Sequence, residues 1–242
     1  MAFLDDDVVE RVLVVVAHPD DIDFGVAGSV AAWTDRGVEV QYCLVTDGDA
    51  GGSDPSITRA EMAAIRRDEQ TVAAKFVGVT DLHFLGFPDG RVEANLDLRR
   101  AITRVIRMVR PQRVVTMSPD RNLDRIFASH PDHLATGEAT LSAVYPDARN
   151  PFAFPDLLEA GHEPWTVDEV LLTVHGASNR WVDVTDTFDR KIAALLAHES
   201  QHADPGRLES LLRAWGAANA DEGGLGPGRL AEAFRAVDVN PF

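Results

Sequence analysis

The feature that most constrains the fold is a short apolar segment at residues 11–17, which reads RVLVVVA. A strand of this kind is buried on both faces, as in the interior of a parallel sheet. Helix-like and strand-like segments alternate after it. Predicted strands lie at 38–45, 82–85 and 113–117, and predicted helices lie at 24–36, 58–77 and 96–110. The order β-α-β-α-β-α-β predicts a Rossmann-like α/β fold, with a mainly parallel sheet and helices on both faces.

The pattern becomes less regular after residue 117. We predict a helix at 133–144, strands at 169–174 and 181–184, a helix at 187–201 and a loop at 220–227. No composition shift marks a domain boundary. We therefore expect a single domain over residues 1–242. Its α/β core spans about 8–145, and a C-terminal portion of strands, helix and loops, about 146–242, packs on the same domain.

Charge and cysteine content exclude several classes of protein. The chain has 23 Lys and Arg against 39 Asp and Glu, a formal charge of −16. This charge repels phosphate backbones and anionic bilayers, so we expect neither nucleic acid nor a membrane as partner. The single cysteine excludes an intrachain disulfide. The apolar segment near the start is too short for a membrane span or a signal peptide, so we expect a cytoplasmic protein.

Two polar segments follow predicted strands. His18-Pro19-Asp20-Asp21 comes directly after the first strand, and His130-Pro131-Asp132-His133 follows the fourth across a loop. A nucleotide-binding fold would carry a glycine-rich turn after its first strand, whereas carboxylates here repel phosphate and attract a cation. Either segment alone is typical of a turn or a helix N-cap. Together, at the same edge of a parallel sheet, they predict a catalytic metal site with three ligands. A further carboxylate in these segments can act as the base.

These segments resemble the signature of the PIG-L/LmbE superfamily of zinc-dependent N-deacetylases. Further motifs that resemble this superfamily are spread in order along nearly the whole chain. They are Thr-Asp-Gly-Asp-Ala-Gly at 46–51, the helix pattern at 66–69 followed by Ala73-Ala74, Leu-Gly-Phe-Pro-Asp-Gly at 85–90, and Lys191 with Ala-His-Glu-Ser-Gln at 197–201.

The resemblance implies the ligands of a Zn²⁺ ion, or of another divalent metal. These ligands are His18, Asp21 and His133. It also implies that a metal-bound water attacks an amide carbonyl, with Asp20 as general base. His130, if protonated, would stabilise the developing oxyanion and could later protonate the leaving amine.

Other candidate residues follow from the same motifs. Asp132 either orients His130 or caps the helix that begins beside it. Asp49, Arg66 and Asp89 are candidates for contacts with substrate hydroxyl groups. The structural alternatives are turn chemistry for Asp89 and an ion-paired or solvated helix face for Arg66.

One residue departs from the superfamily pattern, and one motif suggests a different class of enzyme. Ile22 stands where the superfamily usually has Glu, and Asp23 follows it, so a carboxylate outside the ligand set is lost or displaced by one residue. Residues 198–202 also fit His-Glu-x-x-His, the zincin protease signature. We discount a zincin because Asp-Pro-Gly at 204–206 ends the candidate helix at once. His175 follows a predicted strand from which it could approach the site.

The function that the resemblance implies is zinc-dependent hydrolysis of an N-acyl group, above all acetyl, from an amino sugar or related small-molecule glycoside. One alternative is a mycothiol-conjugate-type amidase. Another is a non-catalytic α/β binding protein with a vestigial metal site, which Ile22 favours. A homo-oligomer is compatible with the resemblance, which fixes no subunit number.

Overall fold

A computed structural model describes the chain at residues 4–124, 126, 129–173, 176–202 and 204–240. Within these residues, seven strands form one sheet in the order β3-β2-β1-β4-β5-β7-β6. The strands are β1 (Arg11–Val16), β2 (Glu39–Thr46), β3 (Asp81–Phe87), β4 (Arg113–Met117), β5 (Glu169–Thr173), β6 (Arg180–Asp183) and β7 (Ala231–Asp238). Strands β1 to β5 are parallel, and β7 is antiparallel to both of its neighbours. The predicted Rossmann-like, mainly parallel sheet is confirmed.

Helices cover both faces of the sheet. They are α1 (Asp21–Gly25), α2 (Ala27–Asp35), α3 (Arg59–Phe76), α4 (Leu96–Val109), α5 (Pro131–Ser142), α6 (Pro155–Glu159), α7 (Phe188–Leu196) and α8 (Pro205–Glu222). Alternate residues of β1 belong to different cores. Val12 and Val14 pack in the core with α2, α3 and α7, whereas Leu13 and Val15 pack in the core with α4 and α5. This period of two explains why every residue from Val12 to Val16 is apolar.

Helix α5 packs closely against the end of β4. A Cβ added to Gly137 would lie 2.4 Å from the carbonyl oxygen of Met117, so glycine permits the close approach of helix and strand. Pro131 occupies the first turn of α5, where its missing N–H costs nothing. This packing places the start of α5 beside the carboxyl end of the sheet.

Two predicted helices differ from the observed ones. The segment 24–36 is broken at Val26 into α1 and α2. Glu232 of β7 accepts the N–H groups of Gly28 and Ser29 at 3.0 and 2.7 Å, so a tertiary contact caps α2 inside the predicted helix. The predicted helix 187–201 ends at Leu196.

The C-terminal portion completes the sheet. Strands β5 and β6 confirm two predictions, although residue 174 lies outside the described residues. Helix α8 and strand β7 were not predicted, and the predicted loop 220–227 is helical up to Glu222. Strand β7 pairs between β5 and β6, so residues far along the chain join the same sheet as the core. In the described segments, we find no helix with the length and apolar character of a membrane span.

Candidate metal and active site

The loops that follow β1 and β4 meet at one edge of the sheet. These strands are adjacent and parallel, and the strand order reverses between them, with β2 on one side and β5 on the other. Ligand sites of open α/β sheets lie in the crevice at such a reversal. His18 follows β1 by two residues, and His130 and His133 lie at the start of α5. The fold therefore brings the two predicted segments together.

The side chains of His18, Asp21 and His133 converge. His18 Nδ1 lies 3.2 Å from both His133 Nε2 and Asp21 Oδ2, and His133 Nε2 lies 3.1 Å from Asp21 Oδ1. The ligand atoms of a tetrahedral zinc ion with bonds of about 2.0–2.1 Å lie about 3.3–3.4 Å apart. Two imidazoles and a carboxylate are also donors found at catalytic zinc. The residues present thus fit a divalent metal ion.

Two other sets of donor atoms share His18. Atoms of His18, His130 and His133 lie within 4.8 Å of one another, as do atoms of His18, Asp89 and Asp132. The first set uses His130, whose Nδ1 already accepts a backbone N–H at 3.2 Å. The carboxylates of the second set also accept backbone N–H groups. In the set with Asp21, the two imidazole nitrogens lie 3.1–3.2 Å from each other and from the carboxylate oxygens, close to the spacing around a tetrahedral zinc ion.

The carboxylate of Asp132 contacts His18 rather than His130. Asp132 Oδ2 lies 3.2 Å from His18 Nε2 and accepts the N–H of Gly90 at 2.7 Å, while Oδ1 accepts the N–H of Val92 at 3.2 Å. This corrects the expectation that Asp132 orients His130 or caps α5, because His130 itself caps that helix. A carboxylate behind a metal-binding imidazole fixes the tautomer and orientation of the ring.

Carboxylates surround His18 so closely that they favour positive charge there. Burial lowers the pKa of His18, but Asp21, Asp132 and Asp89 raise it to about 12. Burial raises the pKa of Asp21, yet His133 and His18 hold that pKa well below its ordinary value. The negative charge of these carboxylates also favours a metal cation between them and the imidazoles.

Asp20 has an unusual backbone and a perturbed carboxyl group. Its φ of 86° and ψ of −28° lie in a region that costs a residue with a Cβ about 1–3 kcal/mol. Burial, followed by the charge of Asp21, raises the pKa of Asp20 to about 7, although Arg66 opposes the shift. Arg66 Nη2 lies 3.4 Å from Asp20 Oδ2. A carboxylate with such a pKa suits proton transfer near neutral pH.

His130 presents its Nε2 atom as a hydrogen-bond donor. The backbone N–H of Asp132 donates to His130 Nδ1 at 3.2 Å, so the proton of a neutral ring resides on Nε2. Burial, followed by the charges of His18 and His133, lowers the pKa of His130. The ring centroid lies 5.0 Å from that of His18 and 5.3 Å from that of His133. This geometry favours a neutral ring that donates from Nε2 over a protonated one.

Two of the expected substrate-binding residues have buried side chains that hold the loops of the site. Arg66 donates to the carbonyl oxygens of Pro19 and Gly48, and its side chain is 5% exposed. Asp89 Oδ1 lies 3.2 Å from His18 Nε2, and its side chain is 9% exposed. These contacts with the protein indicate a role in shaping the site.

Asp49 lies at the rim of the site. Its Oδ1 accepts the N–H of Asp89 at 2.9 Å, and its Oδ2 accepts from Arg59 Nε at 2.6 Å. The Arg59 side chain is 52% exposed. Sequence reasoning missed Arg59, because the first residue of a capped helix carries no motif.

The histidines of the His-Glu-x-x-His pattern lie outside the metal site. His198 is fully buried, and its Nε2 lies 2.8 Å from Asp23 Oδ2. The rings of His198 and His202 are 6.5 Å apart. Residues 198–202 form a turn after α7, so no helix presents both imidazoles on one face and the zincin interpretation is excluded. His175 lies outside the described residues.

A small recess borders His133. Its volume is about 20 Å³, which accommodates a group about the size of a water molecule. The other residues that line the recess are Met117, Ser118, Asp120, Asn122, Ser129 and Thr173.

Comparison with curated proteins identifies similar deacetylases. A diacetylchitobiose deacetylase of Thermococcus kodakarensis is 34% identical over 193 residues, which cover 80% of this chain and 70% of the relative. A probable N-acetyl-alpha-D-glucosaminyl L-malate deacetylase 2 of Bacillus anthracis is 33% identical over 200 residues, 80% of this chain and 82% of the relative. These relatives cleave carbon–nitrogen bonds, and the chain is likewise an amidohydrolase.

Comparison with solved structures gives the same result. The N,N'-diacetylchitobiose deacetylase from Pyrococcus horikoshii, solved with its inhibitor MPG, matches with a TM-score of 0.88 at 30% identity. The match covers 98% of this chain and 88% of that chain. Residues 13–144, which include His18, Asp20, Asp21, His130 and His133, match the family model described as PIG-L: GlcNAc-PI de-N-acetylase. The chain therefore belongs to the PIG-L family of de-N-acetylases.

Proposed function

We propose that this protein removes the acetyl group from an N-acetylglucosamine-type sugar by zinc-dependent hydrolysis. The observation that carries the proposal is the convergence of His18, Asp21 and His133, with ligand atoms 3.1–3.2 Å apart, in the sheet crevice. The substrates in the relatives' names, diacetylchitobiose and an N-acetylglucosaminyl malate, share an N-acetylated glucosamine. That shared group defines the proposed substrate class.

The proposed metal ligands are His18, Asp21 and His133. When bound, zinc supplies a Lewis acid that lowers the pKa of water and polarises an amide carbonyl. Asp132 holds the ring of His18 from behind, through a contact of 3.2 Å between Asp132 Oδ2 and His18 Nε2. The pairing keeps His18 Nδ1 directed at the other two ligands.

Asp20 and His130 are the proposed catalytic residues. Asp20, whose pKa is raised to about 7, accepts a proton from the attacking water. His130 donates its Nε2–H to the carbonyl oxygen as negative charge develops there. The acidic form of Asp20 can then return the proton to the leaving amine. The two residues thus stabilise opposite ends of one transition state.

Two alternative functions, a non-catalytic binding protein and a conjugate amidase, apply to the same site. The binding-protein alternative depended on Ile22, which is fully buried in the core. Because the ligand geometry does not involve that side chain, Ile22 gives no reason to expect lost catalysis. A conjugate amidase would use the same ligands and base, so substrate choice alone separates it from a sugar deacetylase.

The experiment measures metal content and acetate release together. We expect about one zinc ion per chain and acetate release from N,N'-diacetylchitobiose or N-acetylglucosaminyl malate. Asp20→Asn should retain metal and lose about 10²–10⁴-fold in kcat. Asp35→Asn, on the exposed end of α2, is the matched control with unchanged kcat.

Three outcomes would contradict the proposal. Stoichiometric metal without release from any N-acetyl sugar would favour a binding protein. Faster cleavage of a mycothiol conjugate than of every N-acetyl sugar would favour a conjugate amidase. Full activity of Asp20→Asn would exclude Asp20 as the base.

A further inference from the structure

The peptide unit between Pro19 and Asp20 is held at both of its polar atoms by α3. Arg66 donates to the carbonyl oxygen of Pro19, and Gln70 Oε1 accepts the N–H of Asp20 at 2.9 Å. Arg66 and Gln70 are four residues apart, so they lie on one face of the helix. Their exposed fractions are 4% and 0%. A buried helix face thus fixes this peptide.

The orientation of the Gln70 amide is fixed in turn by a buried pair. Gln70 Nε2 donates to Asp23 Oδ2 at 3.0 Å, and His198 Nε2 lies 2.8 Å from the same oxygen. Asp23 and His198 are fully buried. Because an amide nitrogen only donates and an amide oxygen only accepts, the bond to Asp23 turns Gln70 Oε1 toward Asp20.

We propose that Gln70 is a positioning residue that, held by the Asp23–His198 pair, fixes the backbone of Asp20 and the direction of its carboxylate. The inference rests on the proposed role of Asp20 as general base. Asp20 has a φ of 86°, a conformation that persists only where surrounding contacts over-determine it. Loss of the Gln70 contact lets the peptide rotate and carries the carboxylate away from the attacking water.

The first test replaces Gln70 with a side chain of similar size and no hydrogen bonds. Gln70→Met should lower kcat about 10–100-fold, because small misplacements of reacting groups are costly, and should leave KM within about twofold. Zinc content should stay at one ion per chain. In the metal-free protein, amide hydrogen exchange at Asp20 should accelerate by about tenfold or more, since its N–H loses a buried acceptor.

The matched control is Gln41→Met. Gln41 lies on β2, and its Oε1 accepts from His83 Nε2 at 2.8 Å, outside the site. We expect unchanged kcat and unchanged exchange at Asp20. A Gln70→Met protein that folds, with kcat and Asp20 exchange equal to those of the control, would overturn the inference.

A second pair of variants decides the question if Gln70→Met does not fold. His198→Ala removes the donor to Asp23, and His198→Gln retains an N–H at a similar distance. We expect His198→Ala to lose about tenfold or more in kcat and His198→Gln to recover most of it, as a positional role requires. Equal activity of the two variants would overturn the inference.

The Asp20→Asn variant separates this inference from the proposed function. If Asp20→Asn is inactive while Gln70→Met and His198→Ala retain wild-type kcat, the positioning role fails and the proposed base stands. If Asp20→Asn is fully active, the proposed base fails, and the positioning role fails with it.

Discussion

His18 Nδ1 lies 3.2 Å from His133 Nε2, although the two residues are 115 positions apart in the chain. Two imidazole nitrogens at this distance are favourable only with a proton or a cation between them, since lone pairs repel. The oxygens of Asp21 lie 3.1–3.2 Å from the same two atoms. The short distances between these three side chains therefore indicate a binding site for a cation.

The contact between Asp132 and His18 predicts a loss of metal affinity. Asp132→Asn replaces the carboxylate behind the imidazole with a neutral amide, so the ring is a weaker ligand and is less well oriented. We expect zinc affinity to fall about 10–100-fold, measured by competition with a chelator. Asp35→Asn is the exposed control. Equal zinc affinity of the two variants would contradict a role for Asp132 behind the metal.

The raised pKa of Asp20 predicts a pH profile. Only the ionised carboxylate accepts a proton, and burial and Asp21 raise its pKa to about 7. We therefore expect kcat of the zinc enzyme to fall about tenfold per pH unit below the pKa of Asp20 and to level off above it. Arg66→Met removes a cation that lowers this pKa, so the midpoint should move upward. A kcat that is constant from pH 5.5 to 8.5 would contradict the assignment.

The small recess beside His133 predicts selectivity for short acyl groups. Its volume of about 20 Å³ accommodates one group of about the size of a water molecule, so a methyl group fits it more readily than a propyl chain. We expect kcat/KM for an N-acetyl sugar to exceed that for the N-butyryl analogue by about 10–200-fold or more. Comparison of the two substrates at matched concentrations measures the ratio. Equal values would show that the acyl group binds elsewhere.

The buried pair of Lys191 and Glu232 predicts a large effect on stability. Lys191 donates to Glu232 and to the carbonyl oxygen of Phe24, and both paired side chains are at most 5% exposed. Lys191→Met leaves a buried carboxylate without its cation, which costs about 3–5 kcal/mol in the free energy of unfolding. Urea denaturation measures this loss in the free energy of unfolding.

The control for this prediction is Arg190→Met. Arg190 forms an exposed pair with Asp35, and exposed pairs contribute about 0–1 kcal/mol. A loss for Lys191→Met no larger than that of the control would contradict the prediction.

The sequence predicted the parts of the site that depend on strand order. His18 and His133 follow two apolar strands, and adjacent parallel strands end at one edge, so their convergence was predictable. The partner of Asp132 was not predictable, because two imidazoles lie nearby and the choice depends on where the turn at 89–92 packs. Gln70 was missed for a related reason: a glutamine within a helix has no motif, and its role depends on tertiary contacts.

The sequence was less informative about the C-terminal part. Strand β7 (Ala231–Asp238) alternates only approximately, because it begins with two buried residues and two helices separate it from β6. Its place between β5 and β6 follows from antiparallel pairing of distant segments. The break at Val26 likewise depends on Glu232, a residue of that same strand. Contacts at such sequence separation leave no local pattern.

Anomalous diffraction at the zinc absorption edge, from crystals of the zinc-loaded protein, would show whether His18, Asp21 and His133 hold a metal ion. We predict one peak within about 2.0–2.3 Å of His18 Nδ1, His133 Nε2 and a carboxylate oxygen of Asp21. A peak held instead by His18 Nε2 with Asp89 and Asp132, or no peak near His18, would contradict the account.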